Sequence, residues 1–381
     1  MSWEIPLTDV AMPECDVEAV LECLRSGWLT MGPQTQAFEQ AFAQYVGARH
    51  AVAVSSGTAA LHLSLLAAGV GAGDEVIVPA LTFVASAATV RYMGGEPVFA
   101  DVVSASAPNI DVGAVERLIT PRTKAVVAVH FMGYAADARA LRGVCDEHGL
   151  VLIEDTAQAV GAHVEDGRSA GTIGQLGCFS FFSKKQLCVG EGGMVVCDDE
   201  RLAARVRSLR SHAMTSVTWD RHRGHAESYD VVDVGFNYRM DEPRAALGLS
   251  RLGRLESDIA ARRKRVRRYR ELLAGVAGVE LLWDEEAVER GSHFAFPVLL
   301  GNHEARELLR AKLTGEGIQT TWYPAVTQFT EYRGARGSAE VPHSEDVAAR
   351  HFALPLWSGL GDRDLERVVS VLSEASAGER A

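Results

Sequence analysis

The chain has 381 residues, 47% of them hydrophobic, with 38 Lys plus Arg against 50 Asp plus Glu and a formal charge of -12. That size and apolar content exclude a disordered chain and allow one large or two ordinary domains. The negative balance speaks against broad affinity for nucleic acid or an anionic membrane, and no such partner is expected.

Residues 14–26 and 34–46 carry helical spacing, with Val17, Val20, Leu21 and Leu24 on one face and Phe38, Phe42 and Val46 on the next. The Gly-bounded segment from Gly27 to Pro33 between them reads as a turn or surface arm. From residue 51 short apolar strands alternate with helices. Strands are expected at 51–55, 75–79, 96–100, 123–130, 151–154, 175–183 and 193–197, and helices at 58–68, 83–93, 111–118, 135–148 and 200–210. This alternation, with β-branched strands, predicts an α/β fold whose mostly parallel sheet is covered by helices.

Residues 212–233 have neither period and read as a long surface loop. A helix from residue 241 runs on into Arg262, Arg263, Lys264, Arg265, Arg267, Arg268 and Arg270, a basic run that predicts a solvated helix face. The remainder reads as a smaller α+β part: strand 293–300, helix 303–316, strand 319–323, helix 344–352 and helix 362–373. The domain division expected is 1–250, a large domain with an N-terminal arm, and 251–381, a small one entered through the long helix.

Six cysteines (Cys15, Cys23, Cys145, Cys178, Cys188, Cys197) without a C-x-x-C pair read as reduced, buried thiols of a cytoplasmic protein. There is no run of about 18 charge-free apolar residues, and the first residues lack the pattern of a secretory leader. His148, Asp155 and His163 lack metal-ligand spacing, so no metal is expected.

Three places can carry chemistry. Ser56-Gly57-Thr58, where a strand hands over to a helix, offers N–H groups and hydroxyls to a phosphate, or serves only as a cap. Glu154-Asp155 ends a strand at the edge where open α/β sheets bind ligands. The most informative is the aromatic strand that runs into Lys184-Lys185 and a Gly-rich turn. Only five lysines occur in the chain, the others being Lys124, Lys264 and Lys312, and these two are adjacent. An amine held in a cleft loses part of its hydration, and with a positive charge nearby its pKa falls until it becomes a nucleophile; on a solvated turn it does neither.

Taken together, Gly27-Trp28 with Gly32-Pro33, Ser56-Gly57-Thr58-Ala59-Ala60-Leu61, Thr82-Phe83, Glu154-Asp155-Thr156-Ala157-Gln158, Ser180-Phe181-Phe182 with Lys185, Gly190-Glu191-Gly192-Gly193 and Gly235-Phe236-Asn237-Tyr238-Arg239-Met240 resemble the DegT/DnrJ/EryC1/StrS family of sugar aminotransferases that use pyridoxal phosphate. The likeness spans nearly the whole chain, down to the element from His351 to Pro355.

What the resemblance implies is the fold type I (aspartate aminotransferase-like) architecture and a homodimer with shared sites. Pyridoxal 5'-phosphate would be the cofactor, alternating with pyridoxamine 5'-phosphate in turnover. By that likeness Lys185 carries the cofactor as a Schiff base and Asp155 pairs with its ring nitrogen. Phe83 stacks on the ring and Gln158 lies near its phenolic oxygen. Gly57, Thr58 and Ser180 hold the phosphate, with Asn237 coming from the second subunit. Ser183-Lys184 departs from the commoner Pro-Thr, while histidine, which marks the family's dehydratases, is not found at 185.

The expected reaction moves an amino group from glutamate or glutamine to a keto-sugar, in amino-sugar or antibiotic biosynthesis. A nucleotide-linked 4-keto-6-deoxyhexose is favoured over a 3-keto-sugar or a keto-cyclitol, and a non-catalytic regulator of the same fold is the alternative from another class. Candidate substrate contacts are Trp28, His222, Arg223, Arg239 and Tyr323, with Trp219, His225 and Tyr229 in the same loop and His351 near the end.

Overall fold

The computed structural model describes residues 3–216, 222–224 and 227–378. Trp219 and His225 of the long loop lie outside the described residues. The β-branched runs form a seven-stranded sheet from β1 (His50–Val54), β2 (Glu75–Pro79), β3 (Glu96–Ala100), β4 (Thr123–Val129), β5 (Val151–Asp155), β6 (Leu176–Ser180) and β7 (Gly193–Cys197), in the order β1-β7-β6-β5-β4-β2-β3. All neighbours pair in parallel except β7, which runs against both β1 and β6. Helices cover the sheet and bury its strands on both faces, which is why the strands read as continuous apolar runs rather than alternating ones.

The helices that follow these strands are α3 (Gly57–Ala67), α4 (Ala85–Tyr92), α5 (Val112–Leu118), α6 (Ala138–His148) and α7 (Glu200–Arg210), preceded by α1 (Glu14–Ser26) and α2 (Pro33–Val46). Ser56, Asp111, Asp137 and Asp199 each accept an N–H of the first turn that follows, a cap that contributes about 1 kcal/mol. The strand expected to run to residue 183 ends at Ser180, because the chain turns there into the lysine segment. The expected helix from residue 83 begins at Ala85, which leaves Phe83 in the loop ahead of it.

Beyond the sheet, α8 (Glu242–Leu252) and α9 (Leu255–Leu273) are separate helices, broken at Gly253-Arg254. The C-terminal part contains β8 (Val279–Leu281), α10 (Glu285–Arg290), β9 (Phe296–Leu300), α11 (His303–Gly315), α12 (Pro342–Arg350), β10 (His351–Leu354) and α13 (Asp362–Gly378), with an antiparallel sheet in the order β10-β9-β8. Two sequence expectations need correction here. Residues 319–323 are not a strand: only Thr321 bridges, to Ala353, and Pro324, which has no N–H to give a ladder, ends the segment. The helix expected at 344–352 starts at Pro342, whose fixed φ suits a first turn, and stops at Arg350 because His351 to Leu354 pair with β9. The short β8 and α10 had not been anticipated.

The basic run on α9 is only partly a solvated face. Arg267, Arg268 and Arg270 pair with Glu289, Glu366 and Glu285 at the surface, but Arg262 is buried and donates to the carbonyls of His293 and Leu356. Burial pushes its guanidinium down to about 10. All six cysteines are free, and Cys15 alone among them is exposed.

The N-terminal segment ties the two parts together. Ile5 is buried in the same apolar cluster as Tyr269, Phe296, Phe352 and Leu372, and Leu7 accepts the N–H of Leu356 and donates its own to Gln319. A few residues later Asp16, fully buried on α1, accepts from Arg251, Arg254 and Ser250. Among the described residues no helix is long and apolar enough to cross a membrane, and no cluster of potential metal ligands forms.

Candidate active site

Parallel β1, β5 and β6 present their C-terminal ends along one edge of the sheet, and antiparallel β7 presents its first residue there. The register aligns Val54, Gly193 and Ser180 across three strands. Two glycines of this edge are required by space. A Cβ at Gly193 would lie 2.4 Å from the Ser56 carbonyl oxygen, and one at Gly57 would lie 2.8 Å from the Ser180 Cβ. The strand end, the start of α3 and Ser180 therefore approach more closely than any side chain permits.

At this edge opens a cavity of about 300 Å³ that includes Gly57, Thr58, Phe83, Asp155, Gln158, Ser180, Lys184, Lys185 and Tyr323 in its walls. Ser56 caps the Ala59 N–H at 3.1 Å, which leaves the first N–H groups of α3, those of Gly57 and Thr58, at the wall. With the Ser180 hydroxyl beside them they form a cradle whose donors and positive helix end suit a phosphate.

Asp155 ends β5 and is buried. Its Oδ2 accepts the Ser86 hydroxyl at 2.8 Å and its Oδ1 the Ala157 N–H at 3.1 Å. Burial raises its pKa above the ordinary carboxylate value, while the Ser86 and Ala157 hydrogen bonds and the charge of Lys185 pull the other way. The neighbouring Glu154 faces away from the site. Burial alone would raise its pKa, yet the His130 ring, 2.9 Å away, and the N–H groups of Gly171 and Gly174 hold it below normal. His130 Nδ1 accepts the Ala136 N–H, so Nε2 carries the ring proton and donates it to Glu154.

Lys185 stands across the cavity, its Nζ 4.3 Å from the centre of the Phe294 ring. Loss of hydration pushes its pKa down to about 8, and the nearby Asp155 charge opposes this. The lowering comes from burial, and no neighbouring positive charge contributes to it. Gln158 is buried; its Oε1 accepts the Met132 N–H at 2.8 Å, and its Nε2 makes no hydrogen bond within the described residues. That leaves a donor for a ligand. Phe83 is 57% exposed and offers a bare ring face. Tyr323 is positioned by its own N–H, which donates to His351 Nε2, while His351 Nδ1 donates to Val347 O. His351 supports the wall from behind, and burial holds it neutral with a pKa of about 4.

The remaining candidates lie outside this cavity in their own chain. Trp28 and His222 pack ring against ring with centroids 4.5 Å apart, and Arg223 is exposed beside them. Asn237 is exposed and bridges Ser211. Arg239 is half-buried, and burial together with Arg210 lowers its pKa. Sequence reasoning missed Ser86 and Phe294. Ser86 sits four residues after Thr82, whose hydroxyl is 3.1 Å from its own, so extending the Thr82-Phe83 motif by one helical turn would have found it. Phe294 carried no local signal, since it reaches the site only through the fold of the C-terminal part.

A buried acid and a poised amine facing each other, a phosphate cradle, an exposed ring and an unpartnered amide donor are the set that pyridoxal phosphate requires, so the residues present fit that group. The sequence pattern of the DegT/DnrJ/EryC1/StrS aminotransferase family matches residues 11–373. The spore coat polysaccharide biosynthesis protein SpsC of Bacillus subtilis is 36% identical over 373 residues, 95% of each chain. Among solved structures, the aminotransferase TlmJ from Streptoalloteichus hindustanus is 34% identical with a TM-score of 0.90, covering 99% of both chains. DesV of S. venezuelae is also 34% identical, with a TM-score of 0.87 and the same coverage.

Proposed function

The chain belongs to the DegT/DnrJ/EryC1/StrS aminotransferase family and is a pyridoxal-phosphate-dependent sugar aminotransferase; from that premise we propose that it moves an amino group from glutamate or glutamine to a nucleotide-linked 4-keto-6-deoxyhexose. It does so as a cytoplasmic homodimer that serves amino-sugar or antibiotic biosynthesis. The observation that carries the reading is the meeting of Lys185, Asp155 and the Gly57-Thr58-Ser180 cradle in one cavity. Support for a sugar acceptor comes from the family and from a relative named for polysaccharide biosynthesis.

When bound, the cofactor carries the nitrogen between the two substrates and draws electrons from the carbon that loses its proton. Gly57, Thr58 and Ser180 would hold its phosphate, with Asn237 of the partner subunit completing that site, while Phe83 would limit motion of the ring and Gln158 Nε2 would be free to donate to it. The Asp155 carboxylate holds a proton on the ring nitrogen, and its two protein hydrogen bonds fix its position. Lys185 would anchor the cofactor, and its Nζ would move the proton to or from the substrate carbon.

The test offers glutamate or glutamine with a panel of nucleotide-linked keto-sugars and keto-cyclitols. Saturable turnover of a nucleotide sugar and none of a cyclitol is expected, and the reverse would overturn the acceptor assignment.

A further inference from the structure

In the mechanism proposed above Lys184 does not hold the cofactor, yet it lines the active cavity and a second one. The second, about 90 Å³, is walled by Leu7, Thr8, Phe294, Thr321 and Tyr323 among others and shares Lys184, Phe294 and Tyr323 with the first. Of its other walls, Leu7 and Thr8 belong to the N-terminal segment and Thr321 to the C-terminal part. The phosphate cradle does not reach it. Among the described residues lining the two cavities, Lys184 and Lys185 are the cations, and Lys185 is committed to the cofactor.

The two substrates differ at the reacting carbon. An α-amino-acid donor bears a carboxylate on the same carbon as the amine that leaves, whereas a keto-sugar bears no acid there. The site must therefore offer a positive charge close to Lys185 in one half of the cycle and not need it in the other. A lysine adjacent in sequence, exposed and on a flexible stem, meets that requirement. The Thr8 and Thr321 residues, with hydroxyl side chains in the walls of the second cavity, provide a polar lining for an anion.

We propose that Lys184 receives the α-carboxylate of the amino donor and sets the specificity of the donor half-reaction. This rests on the donor reading above and extends it to a residue.

The experiment compares Lys184→Gln and Lys184→Arg with the wild type. The donor half-reaction is followed through the change in cofactor absorbance over a range of L-glutamate and L-glutamine. Binding of maleate, an unreactive dicarboxylate, to the cofactor-loaded enzyme is measured by calorimetry. Lys184→Gln should raise the half-saturating donor concentration and weaken maleate by about 10- to 100-fold, the worth of one charge-assisted hydrogen bond. The rate at saturating donor should change little, and Lys184→Arg should restore most of the affinity. Unchanged donor saturation and maleate binding would overturn the proposal. So would a defect confined to cofactor affinity, or one confined to the half-reaction with a nucleotide sugar, which would place Lys184 on a phosphate. If the wild type accepts neither donor, the donor reading fails, and the maleate measurement still decides whether Lys184 binds a carboxylate.

Discussion

Asp155→Asn removes one buried negative charge and little else. The amide oxygen can keep the Ala157 N–H, and the amide nitrogen can donate to Ser86, whose own hydroxyl proton can turn to Thr82, 3.1 Å away. The strand end and cofactor loading should therefore survive. What is lost is the anion that keeps the ring nitrogen protonated. Losing one such preorganised electrostatic contact costs roughly 3 kcal/mol of transition-state stabilisation, or on the order of 10²-fold in kcat. A second effect follows on Lys185, because Asp155 now opposes the downward pull of burial on that amine. In cofactor-free Asp155→Asn the Lys185 pKa should fall below the wild-type value of about 8. The assay pairs kcat for the donor half-reaction with a pH titration of Lys185 reactivity toward an aldehyde. Near-normal kcat with intact loading would refute the role given to Asp155, and an unmoved Lys185 profile would refute the coupling between the two groups.

Two further outcomes follow from the same geometry. In cofactor-free wild type, the nucleophilic form of Lys185 is the neutral amine, which gains population as pH rises through about 8; at pH 7.5 that is about a quarter of the molecules, against about one in a thousand for an ordinary lysine. Trapping by an aldehyde should accordingly level off above pH 8 to 9, and a rate still climbing through pH 10 would contradict the buried setting. Arg262→Leu leaves the carbonyls of His293 and Leu356 without their buried donor and should destabilise the fold by about 2–4 kcal/mol in denaturant unfolding, with an unchanged midpoint counting against it.

Local pattern carried most of the fold, and the family resemblance supplied the candidate cofactor residues. Strands 75–79, 96–100 and 193–197 and helix 200–210 lie where the apolar runs and caps put them, since a doubly covered sheet imprints itself on short segments. The strand-end carboxylate and the Lys184-Lys185 pair stood out in the sequence as candidates, each open to a plain structural reading, and it was the family resemblance that singled out Asp155 and Lys185. Residues 319–323 read as a strand on composition, but a strand needs a partner along its length, and this segment is held instead by Ile5 and by one bridge to Ala353. Arg262 stands in the buried stripe of α9 with Leu255, Ile259, Val266 and Tyr269, but its charge and the basic run around it made it read as solvated, and the carbonyls it binds come from distant loops. Phe294 and the second cavity beside Lys184 likewise exist only once the N-terminal segment and the C-terminal part have closed on the sheet edge.

The central claim is that Lys185, and not its neighbour, carries the cofactor. Borohydride reduction of the loaded enzyme fixes the cofactor to whichever amine holds it, and peptide mapping then locates the adduct. Bleaching of the visible band with the label on Lys185 alone is expected; a label on Lys184, or a visible band that survives reduction, would contradict the role given to Lys185.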